Sequence, residues 1–282
     1  MGTIRYIKRL LKYIIEGPEV ITKQPKLNLN ISLLEPNNRL TGKKIIITGG
    51  DKGIGYAMAK KFISEGAKVV IVGRDDNLLK KVSQELQCGY IKADLQDIDC
   101  FDIVLKKADE IIGGVNCLVN NAGVSLHEGN IRNVKSSQFE TQIGINLRAP
   151  YFLSQKFINI VESENRKGCN ILFVSSERGT YVDDIPYGLT KNAINCFVRG
   201  LARRLIVNDI RVNAVAPGIT ATDLIGKKEG DNLYLESGMS KRIYLPSEVA
   251  EIACFLLSDI SNCLNGQILT CDEGKSINAY WI

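Results

Sequence analysis

The chain has 282 residues, of which 45% are hydrophobic and 24% charged, a composition typical of a globular protein with room for one large α/β domain. No apolar run reaches the roughly 18 residues that a membrane-spanning helix needs, and no secretory signal is visible, so we expect a cytoplasmic protein. Of the net charge of +5, residues 1–44 supply nine Lys/Arg against three Glu. The remaining 27 basic and 28 acidic side chains nearly cancel, which argues against a nucleic acid as partner.

Residues 1–40 predict a basic amphipathic helix followed by a linker. Apolar Ile4, Ile7, Leu11 and Ile14 recur at helical spacing, while basic side chains occupy the opposite side. Such a helix either lies peripherally on an anionic membrane surface or packs against a partner subunit. The segment is short and has only four basic residues between Ile4 and Ile14, which favours the partner.

Residues 41–282 alternate apolar strands with helices. Continuous apolar strands separated by helices are typical of a parallel sheet that is covered on both faces. The pattern predicts one doubly wound, seven-stranded parallel sheet of Rossmann-like type in a single domain. The seven strand segments are KKIIITGG, AKVVIVGR, GYIKADL, VNCLVNNAG, CNILFVSS, IRVNAVAPG and GQILTCDEG.

A glycine-rich stretch, TGGDKGIG from Thr48 to Gly55, joins the first strand to the first helix. Glycines permit positive φ and let a ligand approach the backbone closely. The N–H groups at a helix N-terminus favour phosphate oxygens. On the first strand of an alternating α/β chain, this pattern predicts nucleotide binding, and a tight strand-to-helix turn is the alternative.

The TGxxxGxG spacing resembles the short-chain dehydrogenase/reductase family, and further motifs follow in that family's order over roughly residues 42–276. The C-terminal part is similar to the subgroup that contains 3-oxoacyl-carrier-protein reductases. The resemblance implies a dinucleotide site. Its residues would be Gly49, Lys52, Gly53, Ile54, Gly55, Arg74, Asp94, Leu95, Asn121, Ala122, Gly123, Tyr187, Lys191, Pro217, Gly218, Thr220 and Thr222.

The end of the second strand bears on the choice of cofactor. Dinucleotide folds that prefer NAD usually carry an acid there, but this chain has Gly73 followed by Arg74. Arg74, with Lys52 in the glycine stretch, could bind the 2′-phosphate of NADP(H), and the family resemblance implies the same. We therefore predict NADP(H) rather than NAD(H). The alternative is that Lys52 is solvated and Arg74 pairs with Asp75 or Asp76.

Tyr187 and Lys191 lie one helical turn apart on one face of a predicted helix. A phenol has an ordinary pKa near 10, and a neighbouring ammonium is expected to lower it towards neutral pH, where acid–base catalysis is efficient. The resemblance implies that Tyr187 is the general acid/base, that Lys191 also binds the nicotinamide ribose, that Ser176 holds the substrate oxygen, and that Asn146 holds a water in a proton relay. Ser175 is the alternative to Ser176.

Together these motifs predict an NADP(H)-dependent oxidoreductase that interconverts a ketone and a secondary alcohol. Segment 219–246 resembles the family's substrate-covering stretch, and its Lys227, Lys228, Lys241 and Arg242 either favour an anionic or carrier-bound substrate or form a solvated loop. A catalytically silent nucleotide-binding regulator or assembly subunit is the competing function. The resemblance implies a homotetramer or homodimer.

Eight cysteines never form a CxxC pair, and His127 is the only histidine. This pattern predicts reduced, buried thiols, with neither a zinc site nor a disulfide framework. His127 itself follows the NNAG motif (Asn120 to Gly123) in a polar stretch and is expected at the surface or at the rim of a pocket.

Overall fold

The computed structural model describes residues 38–228 and 230–277, so the predicted basic helix lies outside the described residues. All seven predicted strands are present and every pairing between them is parallel. The strands are β1 (Lys44–Thr48), β2 (Lys68–Gly73), β3 (Gly89–Lys92), β4 (Cys117–Asn120), β5 (Cys169–Val174), β6 (Ile210–Pro217) and β7 (Ile268–Cys271).

The strand order is β3-β2-β1-β4-β5-β6-β7. The chain therefore builds outward from β1 to β3, crosses back to β4, and then builds in the opposite direction. In open parallel sheets the ligand site lies at this reversal, outside the carboxyl ends of the two central strands. The predicted doubly wound sheet is confirmed, and its topology places the ends of β1 and β4 at the site.

Helices cover both faces of the sheet, because successive side chains on each strand point to opposite sides. Ile46 of β1 packs in one core with the helices Phe101–Ile112, Ala149–Ser163 and Pro186–Leu205. Ile45 and Ile47 pack in a second core, on the other face, with the helices Gly53–Ser64, Asp76–Leu86 and Pro246–Leu257. None of the helices formed by residues 38–228 and 230–277 has the length and hydropathy to cross a bilayer. The helices are α1 (Gly53–Ser64), α2 (Asp76–Leu86), α3 (Phe101–Ile112), α4 (Ser136–Ile143), α5 (Ala149–Ser163), α6 (Pro186–Leu205) and α7 (Pro246–Leu257).

Segment 219–246 forms a small lobe beside the sheet. Ala221, Leu233, Ile243 and Leu245 are buried together in a cluster separate from the two main cores. Two isolated β-bridges hold the lobe together: a parallel bridge between Thr220 and Tyr244 and an antiparallel bridge between Tyr234 and Arg242. The first residues of this lobe therefore stay close to the end of β6. Thr222 among them reaches the glycine stretch, since a Cβ atom on Gly53 would lie 3.2 Å from Thr222 Cγ2.

The eight cysteines all lie among the described residues and are free thiols. Cys117, Cys169 and Cys254 are buried, as predicted, but Cys196 and Cys263 are exposed. The prediction of uniformly buried thiols is therefore wrong. Cys196 lies in an apolar stretch of α6, but its own position is on the outer side of that helix.

The glycine stretch packs the first turn of α1 directly onto the end of β1. A Cβ atom at Gly55 would lie 2.0 Å from the carbonyl oxygen of Gly49, which is closer than any non-bonded contact allows. Gly49 and Gly53 have φ of +62° and +54°, a region that glycine occupies without strain. The loop is thus rich in glycine because the backbone of α1 packs directly against the backbone at the end of β1.

Replacing Gly55 by Ala should destabilise the fold by at least about 2 kcal/mol, because the added methyl group must displace backbone atoms. Gly200, in the middle of α6, has open space around its α-carbon and serves as the control. Gly200→Ala should stabilise the protein by about 0.5–1 kcal/mol. Urea unfolding of both variants checks this pair, and equal effects of the two substitutions would contradict it.

Candidate active site

A cleft of about 920 Å³ opens at the carboxyl ends of the central strands. Two of the predicted site residues, Gly55 and Asn146, lie behind its wall, and all the others line it. The lining set is Gly49, Lys52, Gly53, Ile54, Arg74, Asp94, Leu95, Asn121, Ala122, Gly123, Ser176, Tyr187, Lys191, Pro217, Gly218, Thr220 and Thr222. The fold therefore brings motifs from seven parts of the chain to one place.

The side chain of Thr48 joins the ends of β1 and β4. Its hydroxyl donates to the carbonyl of Val119 (3.3 Å) and accepts from the backbone N–H groups of Asn121 (3.0 Å) and Ala122 (3.1 Å). In return, the Asn121 side-chain amide donates to the carbonyls of Thr48 and Gly49, both at 2.9 Å. The glycine loop and the NNAG loop are thus fixed to each other in the cleft wall.

Asn146 lies in a π-helical turn, Gly144–Arg148, between α4 and α5. Single π-turns inside helices occur frequently at functional sites. The Asn146 side chain accepts from the N–H of Val124 and donates to its carbonyl, both at 2.8 Å. Gly123 separates this amide from Lys191, since a Cβ atom there would lie 3.5 Å from Asn146 Oδ1 and 3.6 Å from Lys191 Nζ. Asn146 thus holds the NNAG loop from behind, next to Lys191.

Ser176 and Ser175 follow β5 and point to different surroundings. The Ser175 hydroxyl donates to the side-chain oxygen of Asn195 at 2.6 Å, in the interior of the protein. Ser176 is 7% exposed, and its hydrogen bonding acts on Tyr187, where it lowers the pKa of the phenol. Ser176, and not Ser175, is therefore the serine placed beside Tyr187.

Tyr187 and Lys191 share one face at the start of α6, as predicted, and the Lys191 ammonium lies 5.6 Å from the centre of the Tyr187 ring. Lys191 Nζ donates to the carbonyl of Val174 at 2.9 Å and is 5% exposed. Burial lowers the pKa of Lys191 to about 8.

The pKa of Tyr187 moves in the direction opposite to the prediction from the sequence. Burial raises it above the ordinary value of 10.0, and the hydrogen bonding of Ser176 and the charge of Arg178 only partly oppose that rise. The prediction considered the ammonium one helical turn away but not the removal of both groups from water. Desolvation disfavours the charged form of each, so the phenol becomes a weaker acid and the ammonium a stronger one.

At the opposite end of the cleft, Asp75 and Asp76, the two acids considered as partners of Arg74, bind other groups. Asp75 caps α2 by accepting from the N–H groups of Asn77 and Leu78 at 3.0 and 3.1 Å, and Asp76 pairs with Lys80 at 2.7 Å. Arg74 takes part in none of the ion pairs among residues 38–228 and 230–277, and it lines the cleft. The alternative pairing of Arg74 is therefore wrong.

Of the four basic residues in segment 219–246, two are neutralised by acids. Arg242 binds Glu248 at 2.7 Å and Glu273 at 3.1 Å, and Lys241 binds Glu236 at 3.0 Å. Of the two alternatives for these side chains, attraction of an anionic substrate is the weaker, since two of the four charges already have partners.

The structure also places residues in the cleft that the sequence did not single out. Glu177 is buried and accepts from Lys275 at 2.9 Å, and both side chains line the cleft. The two are 98 positions apart in the chain, so no local pattern connects them.

His127 lies at the rim of the cleft, as predicted. Its Nε2 donates to the carbonyl of Leu224 at 2.9 Å and so links the segment after the NNAG motif to the small lobe of segment 219–246.

Replacing Lys191 by Met tests the desolvation of the ammonium. A lysine whose pKa is about 8 when folded and 10.5 otherwise binds fewer protons in the folded state between those values, so the free energy of unfolding of the wild type rises with pH there. We expect a rise of roughly 2 kcal/mol between pH 7 and 9.5 relative to Lys191→Met. Urea unfolding at both pH values measures it. The exposed Lys106, replaced by Met, is the control, and a parallel pH dependence of the wild type and Lys191→Met would contradict the expectation.

Comparison with known proteins extends over most of the chain. The family model described as enoyl-(acyl carrier protein) reductase matches residues 49–276. The 3alpha-hydroxysteroid dehydrogenase of Mediterraneibacter gnavus is 32% identical over 244 residues, which are 83% of this chain and 96% of that protein.

Two solved structures have the same fold. The 3-ketoacyl-(acyl-carrier-protein) reductase of Brucella melitensis, complexed with NADH, aligns with a TM-score of 0.77 at 31% identity, over 84% of this chain and 100% of that one. A short chain dehydrogenase of Burkholderia cenocepacia, in complex with NADP, aligns with a TM-score of 0.76 at 28% identity, over 84% and 99% of the two chains. The chain therefore belongs to the short-chain dehydrogenase/reductase family and is similar to its 3-oxoacyl-carrier-protein reductases.

Proposed function

We propose that the chain is an NADP(H)-dependent oxidoreductase that interconverts a ketone and a secondary alcohol. The observation that carries this proposal is the placement of Ser176, Tyr187 and Lys191 together in a cleft whose other end is a glycine loop. A binding protein has no need to bury an ammonium beside a phenol, because desolvation of both groups opposes folding. The arrangement thus favours catalysis over a silent regulatory role.

The residues of the cleft fit a nicotinamide dinucleotide. The first N–H groups of α1 have no partner within the helix and favour the oxygens of a pyrophosphate. The packing of Gly55 against Gly49 leaves backbone rather than side chains on that wall. When bound, the cofactor supplies or accepts the hydride that is exchanged with the carbonyl carbon.

Tyr187 moves the proton in this proposal. Its raised pKa keeps the hydroxyl protonated at neutral pH, which is the form that donates to a carbonyl oxygen during reduction. Ser176 holds that oxygen, and Lys191 lies behind the phenol with its ammonium anchored to Val174. Asn146 fixes the NNAG loop next to Lys191 and is proposed to hold the relay water that the family resemblance implies.

Lys52 and Arg74 support the choice of NADP(H). Both are exposed and line the same end of the cleft. Arg74 has no acidic partner among the described residues, and Lys52 is only loosely paired, with 3.8 Å between its Nζ and Asp223. A guanidinium and an ammonium here provide charge-assisted hydrogen bonds for a 2′-phosphate.

The substrate is proposed to be a small carbonyl compound or its alcohol. With Lys241 and Arg242 paired to acids, an anionic or carrier-bound substrate would depend on Lys227 and Lys228 of the lobe. Both are partly or fully exposed. Comparing acyl-thioester with uncharged ketones in the turnover assay distinguishes the two classes.

Tyr187→Phe should bind NADPH normally but lose turnover by at least about a hundredfold, because the proton donor is gone. The assay follows absorbance of the reduced nicotinamide with a panel of β-ketoacyl, sugar and quinone carbonyls. Tyr181→Phe removes the other phenol of the cleft and should keep turnover within a few fold. Unchanged rates in Tyr187→Phe would remove Tyr187 from its role, and binding without turnover by the wild type across the whole panel would favour the regulator.

Lys52→Ala and Arg74→Ala should each weaken NADPH binding by about tenfold and leave NADH binding nearly unchanged, since each removes one charge-assisted bond to the 2′-phosphate. Fluorescence titration of the reduced nicotinamide measures both affinities. Lys80→Ala removes an exposed lysine that pairs with Asp76 outside the cleft and is the control. Equal losses for both cofactors would argue against the assignment to the 2′-phosphate.

A further inference from the structure

The carboxylate of Asp51 occupies the place of a side chain that the end of β2 lacks. A Cβ atom built on Gly73 would lie 3.1 Å from both Cγ and Oδ1 of Asp51 and 3.3 Å from Oδ2. All three carboxylate atoms therefore lie against the α-carbon of Gly73. In folds that bind NAD, the residue at the end of β2 is the acid that holds the adenosine ribose. Here the glycine loop delivers an acid to the same place.

Asp51 lines the cleft, and its carboxylate has no hydrogen-bond or ion-pair partner among the described residues. The neighbouring acids of the cleft are occupied: Asp75 caps α2, Asp94 accepts from the N–H of Gln96 at 3.0 Å, and Asp223 lies 3.8 Å from Lys52. The side chain of Asp51, by contrast, takes part in none of the hydrogen bonds or ion pairs within the described part of the chain. It is thus available as an acceptor for a bound group.

We propose that Asp51 determines the selectivity of this site between NADH and NADPH, an inference that rests on the proposed oxidoreductase function. Its carboxylate accepts a hydrogen bond from the 2′-hydroxyl of the adenosine ribose in NADH and repels the 2′-phosphate of NADPH. Lys52 and Arg74 attract that same phosphate. The site therefore binds both cofactors. Asp51 makes the ratio of NADPH affinity to NADH affinity smaller than it would be with the two cations alone.

Gly73 leaves the place of an acid on β2 open to the side chain of Asp51. A Cβ atom there would lie 3.1 Å from Cγ and Oδ1 of Asp51, so any side chain at residue 73 would require the carboxylate to shift by a few tenths of an ångström.

Asp51→Asn in the full chain tests the proposal, because the substitution keeps the shape and packing and removes the charge. We expect NADH binding to weaken about three- to tenfold and NADPH binding to tighten about threefold, measured by fluorescence titration. Opposite shifts for the two cofactors are the signature of a charge at the 2′ position. Asp76→Asn removes the same charge at a site that pairs with Lys80 and should change neither affinity.

Losses of similar size for both cofactors, or no change for either, would overturn the proposal. A second measurement does not depend on a variant: the wild type should bind NADH at least threefold more tightly than its 2′-deoxyadenosine analogue, and equal affinities would overturn the proposal as well. These are binding measurements, so a chain that binds both cofactors but turns over no carbonyl refutes the proposed reaction and leaves Asp51 in its role. Failure of the wild type to bind either dinucleotide would overturn both.

Discussion

The hydrogen bonds between Thr48 and the NNAG loop hold together the two strands at which the sheet reverses direction. Through them the glycine loop after β1 and the loop after β4 form one continuous wall. Gly123 of the same loop leaves room for Lys191 on one side and Asn146 on the other. The part of the cleft at the glycine loop and the part at Lys191 therefore meet at a single junction, to which the π-turn adds the hydrogen bonds between Asn146 and Val124.

The end of the cleft that holds Tyr187 and Lys191 forms at the cost of hydration of both groups. Lys191 is almost fully buried with one hydrogen bond from its ammonium to Val174, and burial moves the pKa values of Lys191 and Tyr187 towards their neutral forms. Groups held in this way reduce stability and are retained where chemistry needs them. A charged nicotinamide bound next to these groups would alter that balance, and the proton affinities of the complex would then differ from those of the free protein.

Patterns within short segments of the sequence correctly predicted the features that depend on short segments alone. The alternation of apolar runs placed all seven strands of the sheet, and the glycine spacing placed the turn from Thr48 into α1. The direction of the Tyr187 pKa was wrong because burial is a property of the whole fold. The ion pairs of Glu177 with Lys275 and of Arg242 with Glu273 join distant parts of the chain and leave no signal in either segment.

The adenosine end shows why counting charges in a motif does not determine cofactor choice. Lys52 and Arg74 are the two cations expected there, but the acids Asp51, Asp75, Asp94 and Asp223 line the same cleft and outnumber them. A 2′-phosphate with nearly two negative charges gains from this group only through the positions of the individual charges. Both cations are on exposed side chains that line the cleft, whereas the Asp51 carboxylate lies against Gly73. In our proposal, selectivity at this site follows from the Asp51 carboxylate acting against the two cations. Since Asp51 and Lys52 both belong to the glycine loop, small shifts of that loop would change it.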